Sequence, residues 1–360
     1  MKLCFLANAQ SIHTKRWATY FSENGHDVTV LSLSKGEIPG VDVRLIGPEP
    51  KTFGRLAYLV AALPMRMALR VLKPDVLHSL YAGGYGLLGS LAGYHPFIVS
   101  TWGSDVLVVP QVEPRMARVI RRSLGRADLI TSESAHMTAS IRALGITRPI
   151  LAITAGADTA IFHSRRRSAS QPEARPLIVS TRHLEPVYNL RLLVEALPEV
   201  FKAFPSAKAV IIGDGSLREE LESRANELAI DGRVSFVGRL SPSEVADYLS
   251  KADMFVSTSL SDGNNISLKE AMACGAFPVV TDIPVNREWI QHGLNGFLVD
   301  TQRPGDLADH VIRGLRSPSL RRSAAKLNRV RADHRMSWKT AMALVEAEYR
   351  RLVDGRGIRT

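Results

Sequence analysis

The sequence predicts an α/β protein of two consecutive doubly wound domains, and three observations carry that expectation. A chain of 360 residues is longer than one ordinary core accommodates and comfortable for two. Short apolar runs of strand length alternate with helical stretches from the first residues onward, the pattern of a parallel sheet covered by helices on both faces. Near the middle this alternation lapses into the polar, basic segment His163-Ser164-Arg165-Arg166-Arg167-Ser168-Ala169-Ser170-Gln171-Pro172, and afterwards it resumes.

In chain order, the first series places strands at 3–7, 28–33, 76–79, 97–100, 129–131 and 150–153, with a helix at 14–24 after the first strand. Gly25 stands where that helix must stop, since glycine adopts the left-handed backbone of a C′ position without a Cβ penalty. A first domain at 1–164, a linker at 165–176 and a second domain at 177–336 follow. Within the second, strands at 177–180, 209–212, 234–237, 254–257 and 277–281 are separated by helices at 190–204, 217–228 and 243–249. The last segment, 337–360, opens with a helix over 337–353 that carries Trp338, Ala341, Leu344, Val345 and Tyr349 at helical spacing. Ligand crevices are expected at the carboxyl ends of the strands.

Composition narrows the class. An apolar content of 45% with 22% charged residues describes a soluble globular protein, and no run approaches the roughly 18 to 20 apolar residues of a spanning helix. Met1-Lys2-Leu3-Cys4-Phe5-Leu6-Ala7 passes straight into polar residues, too short an apolar run for a signal peptide, and reads as a buried first strand. Two cysteines, Cys4 and Cys274, form neither a disulfide framework nor a zinc spacing, which fits a reducing cytoplasm. The net charge of +11 calls for an anionic partner: nucleic acid, a phosphorylated substrate or an acidic membrane. With aromatic residues at 6% and no recognition motif, nucleic acid rests on charge alone and is set aside.

The chemistry concentrates in the second domain. From Ser261-Asp262-Gly263 through Asn264 and Asn265, a polar turn runs into a helix beginning Ile266-Ser267, whose N–H groups and positive dipole end attract a phosphate. Asp262 in that turn and Glu270 on the helix both suit a crevice at a strand end, where Glu270 can accept two ribose hydroxyls; otherwise it is a surface acid paired with a cation such as Lys269. After the strand at 177–180, Arg182 is placed either to pair with a diphosphate or to cap a surface carboxylate. Gly213-Asp214-Gly215 permits close backbone approach before a helix, although tight turns use the same residues, and Val237-Gly238 can offer backbone contacts to a base.

This ordered series, with Glu270-Ala271-Met272-Ala273-Cys274-Gly275 and His292-Gly293-Leu294-Asn295-Gly296, resembles the retaining glycosyltransferases of family 4. The likeness covers the second domain closely. It extends to the first more loosely, through Gly25-His26-Asp27, Asp75-Val76-Leu77-His78, Trp102-Gly103-Ser104-Asp105 and Gly156-Ala157-Asp158. The resemblance implies the GT-B fold: two facing Rossmann-like domains, a deep cleft between them, and a C-terminal helix returning to the first domain. It implies sugar transfer from a nucleotide diphosphate sugar, UDP-sugar ahead of GDP-sugar, with retention and without a metal or other cofactor; no Asp-x-Asp motif occurs in the chain. The acceptor is expected to be a glycan or lipid-linked glycan of the envelope, and the enzyme cytoplasmic and peripheral on the inner face of the membrane. The site residues it implies are Asp262, Arg182, His13 and Asp105 for catalysis. The donor is assigned to Arg182, Gly213, Gly215, Val237, Gly238, Asp262, Gly263, Asn264, Asn265, Ile266, Ser267 and Glu270. Four departures stand out: Asp262 replaces a glutamate, no lysine follows Arg182 where Tyr188 and Asn189 stand, Trp102 replaces a histidine, and the glycine-rich first loop is Ala9-Gln10-Ser11-Ile12-His13.

On the acceptor side the polar candidates are His13, His78, Trp102, Ser104 and Asp105. Arg55, Arg66, Arg70 and Lys73 share a helical face beside Phe53, Leu56, Val60, Leu63 and Met67; Arg115, Arg118, Arg122 and Arg126 repeat the arrangement beside Met116 and Ile120. Such helices read either as docking on an anionic membrane or as solvated faces over a core stripe, with Pro64 expected to interrupt the first. A nucleotide-sugar epimerase of the same architecture and a non-catalytic nucleotide-sugar-binding protein are the competing readings.

Overall fold

The computed structural model describes residues 1–54, 56–153, 156–163, 175–335 and 338–355. Arg55, Ser337 and most of the expected linker at 165–176 lie outside the described residues. The chain forms two compact units, Met1–Ile153 joined by the chain from Met342, and Thr154–Ala341.

The first unit is a seven-stranded, wholly parallel sheet. Its strands are β1 (Lys2–Leu6), β2 (Asp27–Ser32), β3 (Asp42–Leu45), β4 (Val76–Leu80), β5 (Phe97–Ser100), β6 (Leu129–Ser132) and β7 (Ile150–Ala152), in the order β3-β2-β1-β4-β5-β6-β7. All five residues of β4, VLHSL, are buried, as expected of a strand covered on both faces. The helix Ile12–Glu23 ends as the sequence expects: Gly25 has φ 82°, its N–H bonds Ser22 O, and the His26 N–H reaches back to Phe21 O. The C-terminal helix Trp338–Asp354 buries Met342, Val345 and Tyr349, and Tyr349 packs on Phe21 with ring centroids 5.2 Å apart.

The second unit is a six-stranded parallel sheet of β8 (Leu177–Thr181), β9 (Lys208–Ile212), β10 (Val234–Gly238), β11 (Met254–Ser257), β12 (Phe277–Thr281) and β13 (Phe297–Val299), ordered β10-β9-β8-β11-β12-β13. Successive side chains serve opposite faces: Met254 and Val256 join one apolar cluster with Ile178 and Phe277, while Phe255 joins the other with Val179 and Val280. In each sheet the strand order reverses once, between β1 and β4 and between β8 and β11. These are the points where doubly wound sheets open a crevice.

Two strands escaped the sequence reading. β3 is an edge strand whose Asp42, Arg44 and Leu45 are exposed, so it lacks an apolar run, and β13 is three residues long. The two basic helices came out differently from each other. Along Pro114–Arg126, Ile120 is buried and Met116 packs on the core, leaving the arginines on an ordinary solvated face. The first stretch is two helices, Leu56–Val60 and Ala62–Leu72; the chain breaks at Ala61, and Pro64 sits in the first turn, where its missing N–H has no intrahelical role. There Ala57, Ala61, Met65 and Leu69 face the core, whereas Leu56, Val60, Leu63, Met67 and Val71 are exposed. The apolar stripe seen in the sequence points outward.

Candidate active site

In the second unit, Arg182 and Asp262 emerge from β8 and β11, the two strands that flank the reversal of strand order. The Arg182 side chain is 9% exposed and forms an ion pair through Nη2 with Asp262 Oδ2. Its Nη2 and Nε also donate to Ser259 Oγ at 3.1 and 3.3 Å, and the guanidinium lies 4.7 Å from the centre of the Tyr188 ring. Burial lowers the Arg182 pKa to about 10, with Tyr188 and Glu270 opposing that shift, so the group stays a cation at neutral pH. Tyr188, at the position where a lysine was expected, thus offers the arginine a π face.

The turn before the next helix is fixed by its own side chains. Asp262 Oδ1 accepts the Asn264 N–H at 3.0 Å, and Asn265 caps the helix Ile266–Cys274 by accepting the Leu268 N–H at 3.1 Å. Asn265 is wholly buried and donates to Asn286 Oδ1 at 2.9 Å; Asn286 donates to Thr281 O, and Thr281 Oγ1 donates to Ser259 O at 2.6 Å. A connected network therefore runs from the helix cap to the backbone carbonyl of Ser259, the residue whose hydroxyl Arg182 bonds. Ser267 ties the same helix to Thr181 O at 2.8 Å. Glycine at 263 is buried and Ile266 half-buried, and Glu270 is half-buried one turn on. Lys269, offered by the sequence as a surface partner of Glu270, is wholly buried: its ammonium donates to Asn264 Oδ1 and stands 4.8 Å from the Trp289 ring centre.

The glycine turns have steric causes. Gly213 has φ 142° and passes so close to Arg182 O that any Cβ would collide with it, while a Cβ on Gly215 would lie 2.5 Å from Leu184 O. Gly213 N–H donates to Gly238 O at 2.8 Å, and Gly238, with φ 76°, ends β10 after the half-buried Val237. Glu185, which the sequence reading passed over, holds this turn by accepting Ser216 N–H at 3.0 Å and Oγ at 2.7 Å. No signal near Glu185 or Ser259 marks either as a site residue; each is recruited by the neighbouring strand.

The first-unit candidates divide. His78 is 1% exposed; its Nδ1 meets Tyr349 Oη at 2.5 Å and its Nε2 meets Ser100 Oγ at 2.8 Å, so this ring serves the packing of the C-terminal helix. Asp105 is wholly buried and accepts three backbone N–H groups, Ala82 at 3.0 Å, Trp102 at 3.1 Å and Gly103 at 3.0 Å, which clamps the loop after β4 to the loop after β5. Burial raises its pKa to about 6 against the effect of those bonds. His13 and Ser104 are exposed, and His13 packs on the half-buried Trp102 with ring centroids 5.0 Å apart.

Comparison with known proteins bears on this geometry. The family profile described as "Glycosyl transferases group 1" matches residues 162–331, over the unit that holds Arg182, Asp262 and Glu270. A second profile, "Glycosyl transferase 4-like", matches residues 2–134. The chain belongs to the group 1 glycosyltransferases. It is a nucleotide-sugar transferase of family 4 with the GT-B fold. It is 25% identical over 309 residues, 83% of this chain and 76% of the relative, to N-acetyl-alpha-D-glucosaminyl L-malate synthase of Bacillus anthracis. Over 206 residues, 57% of this chain and 52% of the relative, it is 29% identical to phosphatidyl-myo-inositol mannosyltransferase of Mycolicibacterium smegmatis. The transferase shares its fold with Anabaena HepE, solved in complex with UDP-glucose, at a TM-score of 0.81 and 18% identity, over 98% of this chain and all of that one. Among the described residues no helix is long and apolar enough to cross a membrane.

Proposed function

We propose that the transferase moves a sugar, with retention and without a metal, from a UDP-sugar to a glycan or lipid-linked acceptor at an anionic membrane surface. The observation that carries the donor half is the buried Arg182 guanidinium, oriented by Asp262 and Ser259 across the strand reversal of the second unit. Cleavage of the anomeric C–O bond builds positive charge on the sugar and negative charge on the departing diphosphate. A fixed cation and the N-terminal end of the helix Ile266–Cys274 stabilise that diphosphate. In this reading Asp262 holds sugar hydroxyls, Glu270 takes the ribose hydroxyls, and the amides of Gly213, Gly215, Gly238 and Gly263 to Asn265 approach the nucleotide. Departing phosphate oxygen takes the acceptor proton, so no protein nucleophile is required. HepE, which shares the fold, was solved with UDP-glucose, which favours the UDP donor.

The membrane half rests on the outward apolar ridge. Phe53, Leu56, Leu59, Val60, Leu63, Met67 and Val71 are each more than half exposed, and Arg66, Arg70 and Lys73 beside them line a cavity of about 400 Å³. Apolar side chains rimmed by cations match an anionic bilayer, with the ridge below the headgroups and the cations among the phosphates. A mannosyltransferase of phosphatidylinositol among the relatives agrees with a lipid-linked acceptor.

Incubation with UDP- and GDP-sugars, with and without EDTA, tests the donor half. UDP release that EDTA leaves unchanged, with product keeping the donor's anomeric configuration by NMR, is expected. Inverted product or a metal requirement would overturn the mechanism, and sugar isomerisation without release would indicate an epimerase.

A further inference from the structure

Tyr81 follows β4 directly and has φ 135°, a backbone region that bulky residues avoid and glycine occupies freely. The surrounding structure holds it there. Asp105 fixes the next amide, Ala82 N–H, at 3.0 Å, and a Cβ on Gly83 would come within 2.7 Å of the Tyr81 ring, so the glycine makes room for the ring. Strain of this kind persists where a side chain must be held at one spot. Glycine at position 81 would satisfy the same backbone without strain, so the reason for tyrosine lies in its ring.

That ring stands at the strand reversal of the first sheet. β4 and β1 flank the reversal; Tyr81 stands in the loop after β4, and His13 in the first turn of the helix Ile12–Glu23 that follows β1. Tyr81 is half-buried with its hydroxyl 3.5 Å from Ser104 Oγ, and His13 with Trp102 continues the aromatic surface along the same edge. Flat rings bordered by hydroxyl and imidazole groups match a pyranose, which has an apolar C–H face and a hydroxyl rim. We infer that Tyr81 is a specificity-determining residue for the acceptor, its ring meeting the face of the acceptor sugar. The inference rests on the transferase reading above for the name acceptor, and on the first unit alone for the sugar site.

The test uses the full chain and a panel of octyl glycosides as probes. Their binding is read by saturation-transfer NMR and fold stability by thermal melting, with UDP release from UDP-glucose followed separately. Tyr81→Gly should melt at or above the wild-type temperature while binding of the preferred glycoside weakens tenfold or more, and Tyr81→Phe should keep that binding within about threefold. No glycoside binding by the wild type, unchanged binding in Tyr81→Gly, or equal loss in Tyr81→Phe and Tyr81→Gly overturns the inference. Glycoside binding that depends on Tyr81 upholds it even where no nucleotide sugar is turned over, an outcome that would count against the transferase reading alone.

Discussion

His78 Nδ1 and Tyr349 Oη lie 2.5 Å apart, both wholly enclosed, and this contact binds a central strand of the first sheet to the C-terminal helix. With the other ring nitrogen on Ser100, whose hydroxyl meets Thr131 Oγ1 at 2.6 Å, the imidazole has both polar atoms satisfied. Tyr349→Phe leaves Nδ1 unpaired and should cost about 1–3 kcal/mol. Tyr349→Ala also removes the ring from Phe21 and should cost about 3–5 kcal/mol. Urea unfolding of the three proteins measures both; a Tyr349→Phe curve that overlays wild type would show that the bond contributes nothing.

Two buried groups in the first unit give opposite pH responses. Burial lowers the His78 pKa from 6.5 to about 3, so its contribution is complete above pH 6.5 and is lost as pH falls, by about 1.4 kcal/mol per unit. Burial raises the Asp105 pKa from 3.8 to about 6, so its contribution is greatest below 3.8 and is lost as pH rises through 6. Between these limits the two largely cancel. Relative to wild type, Asp105→Asn should lose about 2 kcal/mol more on going from about pH 6 to 4.5, and His78→Asn about 2 kcal/mol less. Parallel pH profiles for all three proteins would refute the assignment.

Glu270→Ala should weaken UDP binding at least tenfold and abolish transfer with the melting temperature unchanged. Arg182→Ala should lower kcat by about 10²–10³, the usual effect of removing one preorganised charge-stabilising group. Calorimetric titration with UDP and initial-rate kinetics separate the two, and wild-type kinetics in either variant would remove that residue from the site.

If the turn before the helix Ile266–Cys274 binds the donor as proposed, Lys269, through its bond to Asn264, is a positioning residue for it. Lys269→Met keeps an unbranched stem against Trp289 and loses the bond to Asn264. Its KM for the donor should rise about tenfold with kcat changed less than threefold, matching loss of a charged hydrogen bond of about 1.5 kcal/mol. A kcat loss at constant KM would place the ammonium in the chemistry instead.

Leu63→Glu with Met67→Glu should abolish sedimentation with vesicles of 30% phosphatidylglycerol in phosphatidylcholine, and leave melting unaltered because both side chains are exposed. Arg66→Ala with Arg70→Ala should reduce binding and its salt sensitivity together. Wild-type protein that ignores these vesicles at low salt ends the membrane proposal.

Alternating apolar runs were enough to read the strands of both sheets except β3 and β13. Buried parallel strands are predominantly apolar, whereas β3 is an exposed edge and β13 spans three residues. Gly25, Gly213 and Gly238 were legible because each occupies a positive-φ turn that other residues avoid. The Asp262 to Glu270 turn was legible because a helix N-terminus and its cap are local in sequence.

What the sequence by itself determined is therefore whatever depends on neighbours along the chain: strand periodicity, turn glycines, the capped helix and the ordered motifs of the family. Tertiary structure alone decided which face of an amphipathic helix turns inward, with Leu63 and Met67 exposed where the pattern allowed a core stripe. It also sent His78 to Tyr349, Lys269 to Asn264 and Trp289, and Arg182 to Ser259 and Asp262. The physical reason is that a buried polar group must find a partner wherever the sheet brings one within hydrogen-bond reach, and parallel crossovers bring together residues far apart in the chain.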